Sequence, residues 1–151
     1  MADRQEATVT LASTPASVSR ARRYVTGVLA EWARAEGPDG PDRTDTVETV
    51  RLVVSELATN AVLHTRGDSP TFTVDVLVDD GLQLYVGVTD SHPRYPRRLP
   101  AAVQQDNGRG LVIVRWLAAE RGGRLFFTPA EDGGKTVWIR LPWSVPVRTG
   151  A

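Results

Sequence analysis

The sequence lacks cysteine altogether and contains a single methionine among its 151 residues. Without thiols the chain can form neither disulfide bonds nor thiolate ligands, so we expect no disulfide framework and no zinc site of the usual kind. An excess of charge of either sign is also missing, because 18 basic side chains balance 18 acidic ones. A neutral chain has no strong field to attract nucleic acid or an anionic membrane, so we expect neither as a direct partner.

Long apolar runs are absent as well. No segment approaches the roughly 20 apolar residues that cross a bilayer, and the start, "MADRQEATVTL", lacks the basic region and apolar core of a secretory signal. The sequence therefore predicts a cytoplasmic protein with no membrane association. Its length and its hydrophobic content of 41% predict a single domain over residues 1–151, with a core from about 13 to 142.

The spacing of apolar residues predicts three helices and five strands. In chain order we expect a strand at 7–12, helices at about 15–35 and 44–64, a hairpin at 71–78 and 82–90, an irregular loop at 91–107, a helix opening at Gly108, and a last hairpin at 124–128 and 135–143. This order predicts an α+β fold: a two-layer sandwich with a mixed, mostly antiparallel sheet and three main helices on one face.

Two polar residues of the second long helix depart from a simple amphipathic pattern. Glu56 and Asn60 lie one turn apart, off the apolar stripe and beside Leu52 and Leu63. At this spacing they project side by side. A carboxylate can accept a proton and a carboxamide oxygen can bind a hard cation such as Mg²⁺, so the pair suits a metal–nucleotide site. Taken alone, the pair favours a solvated helix edge with one ordinary hydrogen bond.

A second unexpected residue is Asp90, which continues the core-facing row of its strand. A carboxylate in that position is costly unless it is paired. Asp90 can be a buried acceptor for an exocyclic amine, such as that of adenine, or a turn residue that closes its own strand. The residues by themselves leave both interpretations open.

A pair of glycines, Gly108 and Gly110, stands where the third helix is expected to begin. Glycines allow a ligand to approach the backbone, and the first N–H groups of a helix can bind phosphate. An ordinary junction between loop and helix is the simpler alternative. The loop before it, Ser91 to Asn107, contains three prolines and three arginines, and long loops of this kind in compact domains are usually functional lids or mobile segments.

The order of these motifs resembles one known superfamily: "ELATNA" on a long helix, "VTD" at a strand end, "GRGL" opening a helix, and "GGKTVWIRLP" as the final strand. It is similar to the ATP-binding superfamily of gyrase, the heat-shock chaperones, MutL and the histidine kinases (GHKL). Within it, the chain resembles the anti-sigma-factor serine/threonine kinases of the RsbW and SpoIIAB type, in the branch common in actinobacteria. The resemblance covers about residues 13–142 and implies the GHKL-type ATPase fold.

The resemblance also implies roles for individual residues. Glu56 matches the general base, Asn60 the Mg²⁺ ligand, and Asp90 the acceptor for the adenine amine. Thr136 matches a threonine that supports the adenine end, and residues 91–107 match the ATP lid. The segment that matches the phosphate-binding motif is Gly108, Arg109, Gly110 and Leu111.

The implied function is a Mg²⁺- and ATP-dependent serine/threonine kinase that acts as an anti-sigma factor. It would phosphorylate a STAS-domain anti-sigma-factor antagonist and, once free of that antagonist, hold a sigma factor. The family motif Asp-x-Gly-x-Gly is replaced here by "DSHPRYP". This departure leaves an ATP-binding or partner-sequestering module without kinase turnover as the alternative.

The first helix carries Arg20, Arg22 and Arg23 beside its apolar stripe. Such a surface suits either a partner protein or a twin subunit. A homodimer is therefore one of two alternatives that the sequence leaves open.

Overall fold

The computed structural model describes residues 4–65, 70–90, 101–131 and 134–144 of the chain. Its elements are β1 (Arg4–Ala12), α1 (Pro15–Ala35), α2 (Thr44–Thr65), β2 (Thr71–Asp79), β3 (Gln83–Asp90), α3 (Ala101–Glu120), β4 (Arg124–Pro129) and β5 (Lys135–Pro142). Within these described ranges, no helix combines the length and the hydropathy needed to cross a membrane.

The five strands form one sheet in the order β1-β2-β3-β5-β4, and every neighbouring pair is antiparallel. A tight hairpin joins β2 to β3, and β5 pairs with the strand that precedes it, β4, whereas α1 and α2 separate β1 from its partner β2. The predicted α+β sandwich is confirmed. The predicted mixed character of the sheet is not, because no parallel pair occurs among the described strands.

Strand register places the apolar residues of the sheet on the face that the helices cover. Val74 of β2 pairs with Val9 of β1 and with Val88 of β3, and Val88 pairs with Val137 of β5. Because directly paired residues point to the same side, these four side chains form one row against the helices. The most deeply buried side chains of this core include Val25, Leu29, Val50, Val53, Val54, Phe72, Val78, Leu84, Ile139 and Leu141.

The turn between β2 and β3 has the conformation that its sequence predicts. Asp80 and Gly81 have positive φ angles of 54° and 67°, and the Leu82 N–H donates to the Asp79 carbonyl at 3.0 Å. Two successive positive φ angles match the twist of the flanking strands and favour Asp-Gly. The hairpin predicted from "DDG" is confirmed.

The third helix begins earlier than its glycines suggest. α3 starts at Ala101, so Gly108 and Gly110 lie within it and the prediction of a helix that opens at Gly108 is wrong. Ala101, Ala102 and the glutamines after them are strong helix formers, and interior glycines cost only about 1 kcal/mol each. Of the predicted loop, residues 101–107 are helical and residues 91–100 lie outside the described residues.

A buried arginine ties the linker between α1 and α2 to the end of β5. Arg43 is 6% exposed and donates to both carboxylate oxygens of Glu36, with the Nε–Oε1 contact at 2.9 Å. Its guanidinium also lies 3.9 Å from the ring centroid of Trp143 and donates to Ser144 Oγ at 3.2 Å. The Arg43 side chain thus contacts a carboxylate in the linker and an aromatic ring and a hydroxyl after β5, two parts of the chain that are far apart in the sequence.

Replacing Arg43 with Ala is expected to lower the free energy of unfolding by about 2–3 kcal/mol, somewhat less than for a fully buried pair. Glu36 is left without its partner but keeps some solvent contact, since it is 28% exposed. For a domain of this size the melting temperature should fall by about 4–10 °C in a calorimetric scan. Arg51→Ala is the matched control, because its ion pair with Glu48 is exposed. Equal losses in the two variants would contradict this account.

Candidate functional site

The polar pair on α2 lies at the margin of the core. Glu56 and Asn60 are both half-buried, while Val53, Val54 and Leu57 beside them are almost fully buried. Within the described part of the chain, neither polar side chain makes a hydrogen bond or an ion pair. The single ordinary hydrogen bond of the simpler interpretation is therefore not observed there. A carboxylate and a carboxamide thus lie one helical turn apart, and no described side chain occupies either of them.

The neighbouring hydroxyl residues of α2 behave differently. Thr59 Oγ1 donates to the Ser55 carbonyl at 2.6 Å, and Ser55 Oγ donates to the Arg51 carbonyl at 3.0 Å. Arg22 of α1 also donates to Ser55 Oγ at 3.3 Å. The polar side facing α1 is thus satisfied inside the protein, which distinguishes it from the side that carries Glu56 and Asn60.

Asp90 lies at the end of β3 on the face that the helices cover. It pairs in register with Phe72, which is completely buried against the helices, so the alternation predicted for Asp90 is confirmed. The carboxylate is half-buried. α2 packs on β3, which places Asp90, Glu56 and Asn60 on the two facing layers of the same sandwich.

Gly134, to which sequence reasoning assigned no role in the site, packs directly against Asp90. A Cβ atom at this position would lie 2.5 Å from the Asp90 carbonyl oxygen and 2.6 Å from its Oδ1. Both distances are shorter than real Cβ contacts. A glycine is therefore required for β5 to begin this close to the carboxylate, and the "GG" before Lys135 was the signal in the sequence.

Thr136 is not brought together with Asp90. It pairs with Thr89, and the two hydroxyl oxygens are 2.6 Å apart. Because adjacent strand residues point to opposite faces, Thr89 and Thr136 lie on the face turned away from the helices. Thr136 thus lies on the opposite face of the sheet from Asp90, and its role at the adenine end stays a prediction.

The segment Gly108 to Leu111 lies inside α3, which packs against α2. Free N–H groups belong to the first turn of a helix, and that turn begins at Ala101 rather than at Gly108. Gly108 and Gly110 therefore do not mark the start of α3, and their part in phosphate binding stays a prediction. The side chain of Arg109 lies outside the described residues, and Leu111 is partly buried against the core.

The comparison with protein families gives a match over nearly the whole chain. A family model described as "Histidine kinase-like ATPase domain" matches residues 11–141. An uncharacterised protein of Streptomyces coelicolor is 33% identical over 106 residues, which cover 64% of this chain and 99% of that protein.

Two solved structures share the fold. Full-length ShkA in complex with AMPPNP is 22% identical, with a TM-score of 0.53, over 83% of this chain and 30% of that one. The histidine kinase domain of the blue-light activated histidine kinase from Erythrobacter litoralis EL346 is 25% identical, with a TM-score of 0.53, over 85% of this chain and 60% of that one. This chain thus spans less than two thirds of either solved chain. With a family model matched from strand β1 to strand β5, the chain belongs to the histidine kinase-like ATPase domain family.

Proposed function

We infer that this protein binds Mg²⁺-ATP between α2 and the helix-covered face of β3, and that it transfers the terminal phosphoryl group to a serine or threonine of a partner protein. The observation that carries this proposal is the pair Glu56 and Asn60, half-buried and without a side-chain partner among the described residues. Membership of the ATPase domain family supports it. So does ShkA, a fold relative solved with the ATP analogue AMPPNP.

The chemistry of the residues fits such a ligand. The Asp90 carboxylate would accept a hydrogen bond from the exocyclic amine of adenine, and the Asn60 carboxamide oxygen would offer one ligand to Mg²⁺. Mg²⁺ commonly takes one or two protein ligands and completes its octahedron with phosphates and water. This suits a site where, over the described residues, no group of three or more acidic or histidine side chains is placed to hold a metal.

Glu56 is the residue that we assign to catalysis. When bound, Mg²⁺-ATP supplies the phosphoryl group. The Glu56 carboxylate orients the substrate hydroxyl and accepts its proton as the hydroxyl oxygen bonds to the terminal phosphorus and the bond to ADP breaks. Positioning and neutralisation of charge, rather than covalent chemistry by the protein, are what this reaction requires.

We place the protein in a partner-switching system, as an anti-sigma factor that phosphorylates a STAS-domain antagonist and otherwise binds a sigma factor. The ordered motifs of the sequence support this placement. Incubation with radiolabelled ATP and purified STAS-domain proteins tests it. Transfer of label to a serine of one of them is expected, and label transferred only to histidine would contradict it.

The second candidate function is nucleotide binding or partner sequestration without transfer. Two observations favour it: the glycines of "GRGL" lie inside α3 rather than at its start, and "DSHPRYP" replaces the glycine-containing family motif. A protein of this kind would bind Mg²⁺-ATP and its partner while producing no ADP above the background rate.

Nucleotide binding itself is tested most simply by thermal shift. A ligand present at about 100 times its Kd stabilises the folded state by about 2.7 kcal/mol, which should raise the melting temperature by about 5–10 °C for a domain of this length. Mg²⁺-GTP is the control, because guanine presents a carbonyl oxygen where adenine presents the amine. An unchanged melting temperature with Mg²⁺-ATP would contradict the nucleotide site.

A further inference from the structure

The face of the sheet turned away from the helices contains a recess that the proposed nucleotide site does not use. We call it the outer-face pocket; its volume is about 370 Å³, within the range of small-molecule sites. It is lined by Arg4, Glu6, Ala7, Thr8, Asp75, Val76, Leu77 and Trp138. Asp75 and Trp138 belong to one row across the sheet, with Gly87 of β3 between them.

Trp138 forms a fixed wall of the outer-face pocket. Its ring lies across Gly87, where a Cβ atom would be only 2.6 Å from two carbons of the six-membered ring. The indole N–H donates to Thr128 Oγ1 at 2.9 Å, and the ring of Phe126 is stacked on the other side at 6.3 Å between centroids. These contacts hold the indole in one orientation, and the missing side chain at residue 87 lets it reach toward Asp75.

Asp75 supplies the unbalanced charge of the outer-face pocket. Glu6 is paired with Arg4 at 2.5 Å, whereas the half-buried Asp75 carboxylate has no ion pair or side-chain hydrogen bond within the described ranges. The lining therefore presents one unpaired carboxylate beside an aromatic ring. An organic cation satisfies both, through a charge-assisted hydrogen bond to the carboxylate and attraction to the ring.

We propose that the outer-face pocket binds a small organic cation, a guanidinium or an alkylammonium, with its charge at Asp75 and its apolar part against Trp138 and Leu77. This site is separate from the nucleotide site, because Asp75 and Trp138 point away from the helices while Asp90 points toward them. The proposal holds whether or not the protein transfers phosphate.

Titration with n-butylguanidinium, followed by ¹H–¹⁵N NMR, tests the proposal. Saturable shifts are expected for the amides of Asp75 and Gly87 and for the indole N–H of Trp138, with a Kd of about 1 mM. Neutral n-butylurea has nearly the same shape and should bind at least about tenfold more weakly, because it lacks the charge that Asp75 recognises.

Asp75→Asn is expected to weaken butylguanidinium about tenfold. Asp80→Asn removes the same charge at the exposed β2–β3 turn and should leave the Kd unchanged, and the dispersion of each spectrum shows that the variants are folded. Equal shifts with butylurea, shifts that do not saturate, or wild-type affinity in Asp75→Asn would each overturn the proposal.

Discussion

Replacing Glu56 with Gln is expected to lower the rate of phosphate transfer by about 10²–10⁴-fold while leaving the Kd for Mg²⁺-ATP almost unchanged. Glutamine keeps the size and the acceptor oxygen of the side chain but cannot take the proton of the substrate hydroxyl. Because Glu56 does not contact the base in this arrangement, binding should survive. Label transfer to the antagonist measures the first quantity, and isothermal titration calorimetry measures the second.

The control for this variant lies on the same helix. Glu48→Gln removes a carboxylate from an exposed position of α2, where Arg51 is its ion-pair partner among the described residues at 3.9 Å, and should retain full activity. Full activity in Glu56→Gln would refute the assignment of Glu56. A rate near zero in the wild-type protein, together with tight ATP binding, would instead favour the non-catalytic candidate.

Replacing Asp90 with Asn is expected to raise the Kd for ATP by about 10–100-fold, since a hydrogen bond to a charged group contributes about 1.5–3 kcal/mol. The carboxamide can also turn its own NH₂ group toward the adenine amine, which replaces an attraction with a repulsion. Calorimetric titration of both proteins with Mg²⁺-ATP gives the ratio. Discrimination against GTP should fall in parallel, because the carboxylate no longer repels the guanine carbonyl.

Gly134→Ala provides an independent check on the same carboxylate. Its new methyl group would lie 2.6 Å from Asp90 Oδ1 and 2.5 Å from the Asp90 carbonyl oxygen, so the end of β3 must shift. ATP affinity should fall without any change of charge. For Asp90→Asn, the charge-matched control is Asp79→Asn, at the opposite end of the β2–β3 hairpin. Wild-type affinity in both Asp90→Asn and Gly134→Ala would mean that the nucleotide does not lie against β3.

Much of the fold could be predicted because it depends on local patterns. The "DDG" turn requires positive φ angles that Asp and Gly tolerate, and Asp80 and Gly81 adopt them. The helix from Thr44 ends within one residue of its prediction, since a stripe of apolar residues at helical spacing continues to that point. The start of α3 could not be predicted in this way. Gly108 and Gly110 are typical of a helix boundary, but the helix-forming residues before them extend the helix back to Ala101.

The site was only partly predictable. Helix geometry alone predicts that Glu56 and Asn60 project side by side. Strand alternation predicts which face of the sheet Asp90 lies on. Whether other side chains donate hydrogen bonds to these acceptor groups depends on all the elements that pack nearby. A local sequence pattern does not reveal that packing. The face of Thr136 likewise depends on the pairing of β5 with β3, a register set between strands far apart in the sequence.

The amino-acid sequence by itself determined the order of the elements, the turn of the β2–β3 hairpin and the spacing of the polar residues on α2, because each depends on backbone preferences within a few residues. The tertiary structure alone decided which polar groups have no partner among the described residues, how close Gly134 lies to Asp90, and that Trp138 crosses Gly87 to form a pocket with Asp75. Each of these features depends on the distances between atoms of strands that are far apart in the sequence. Those distances are set only when the chain folds.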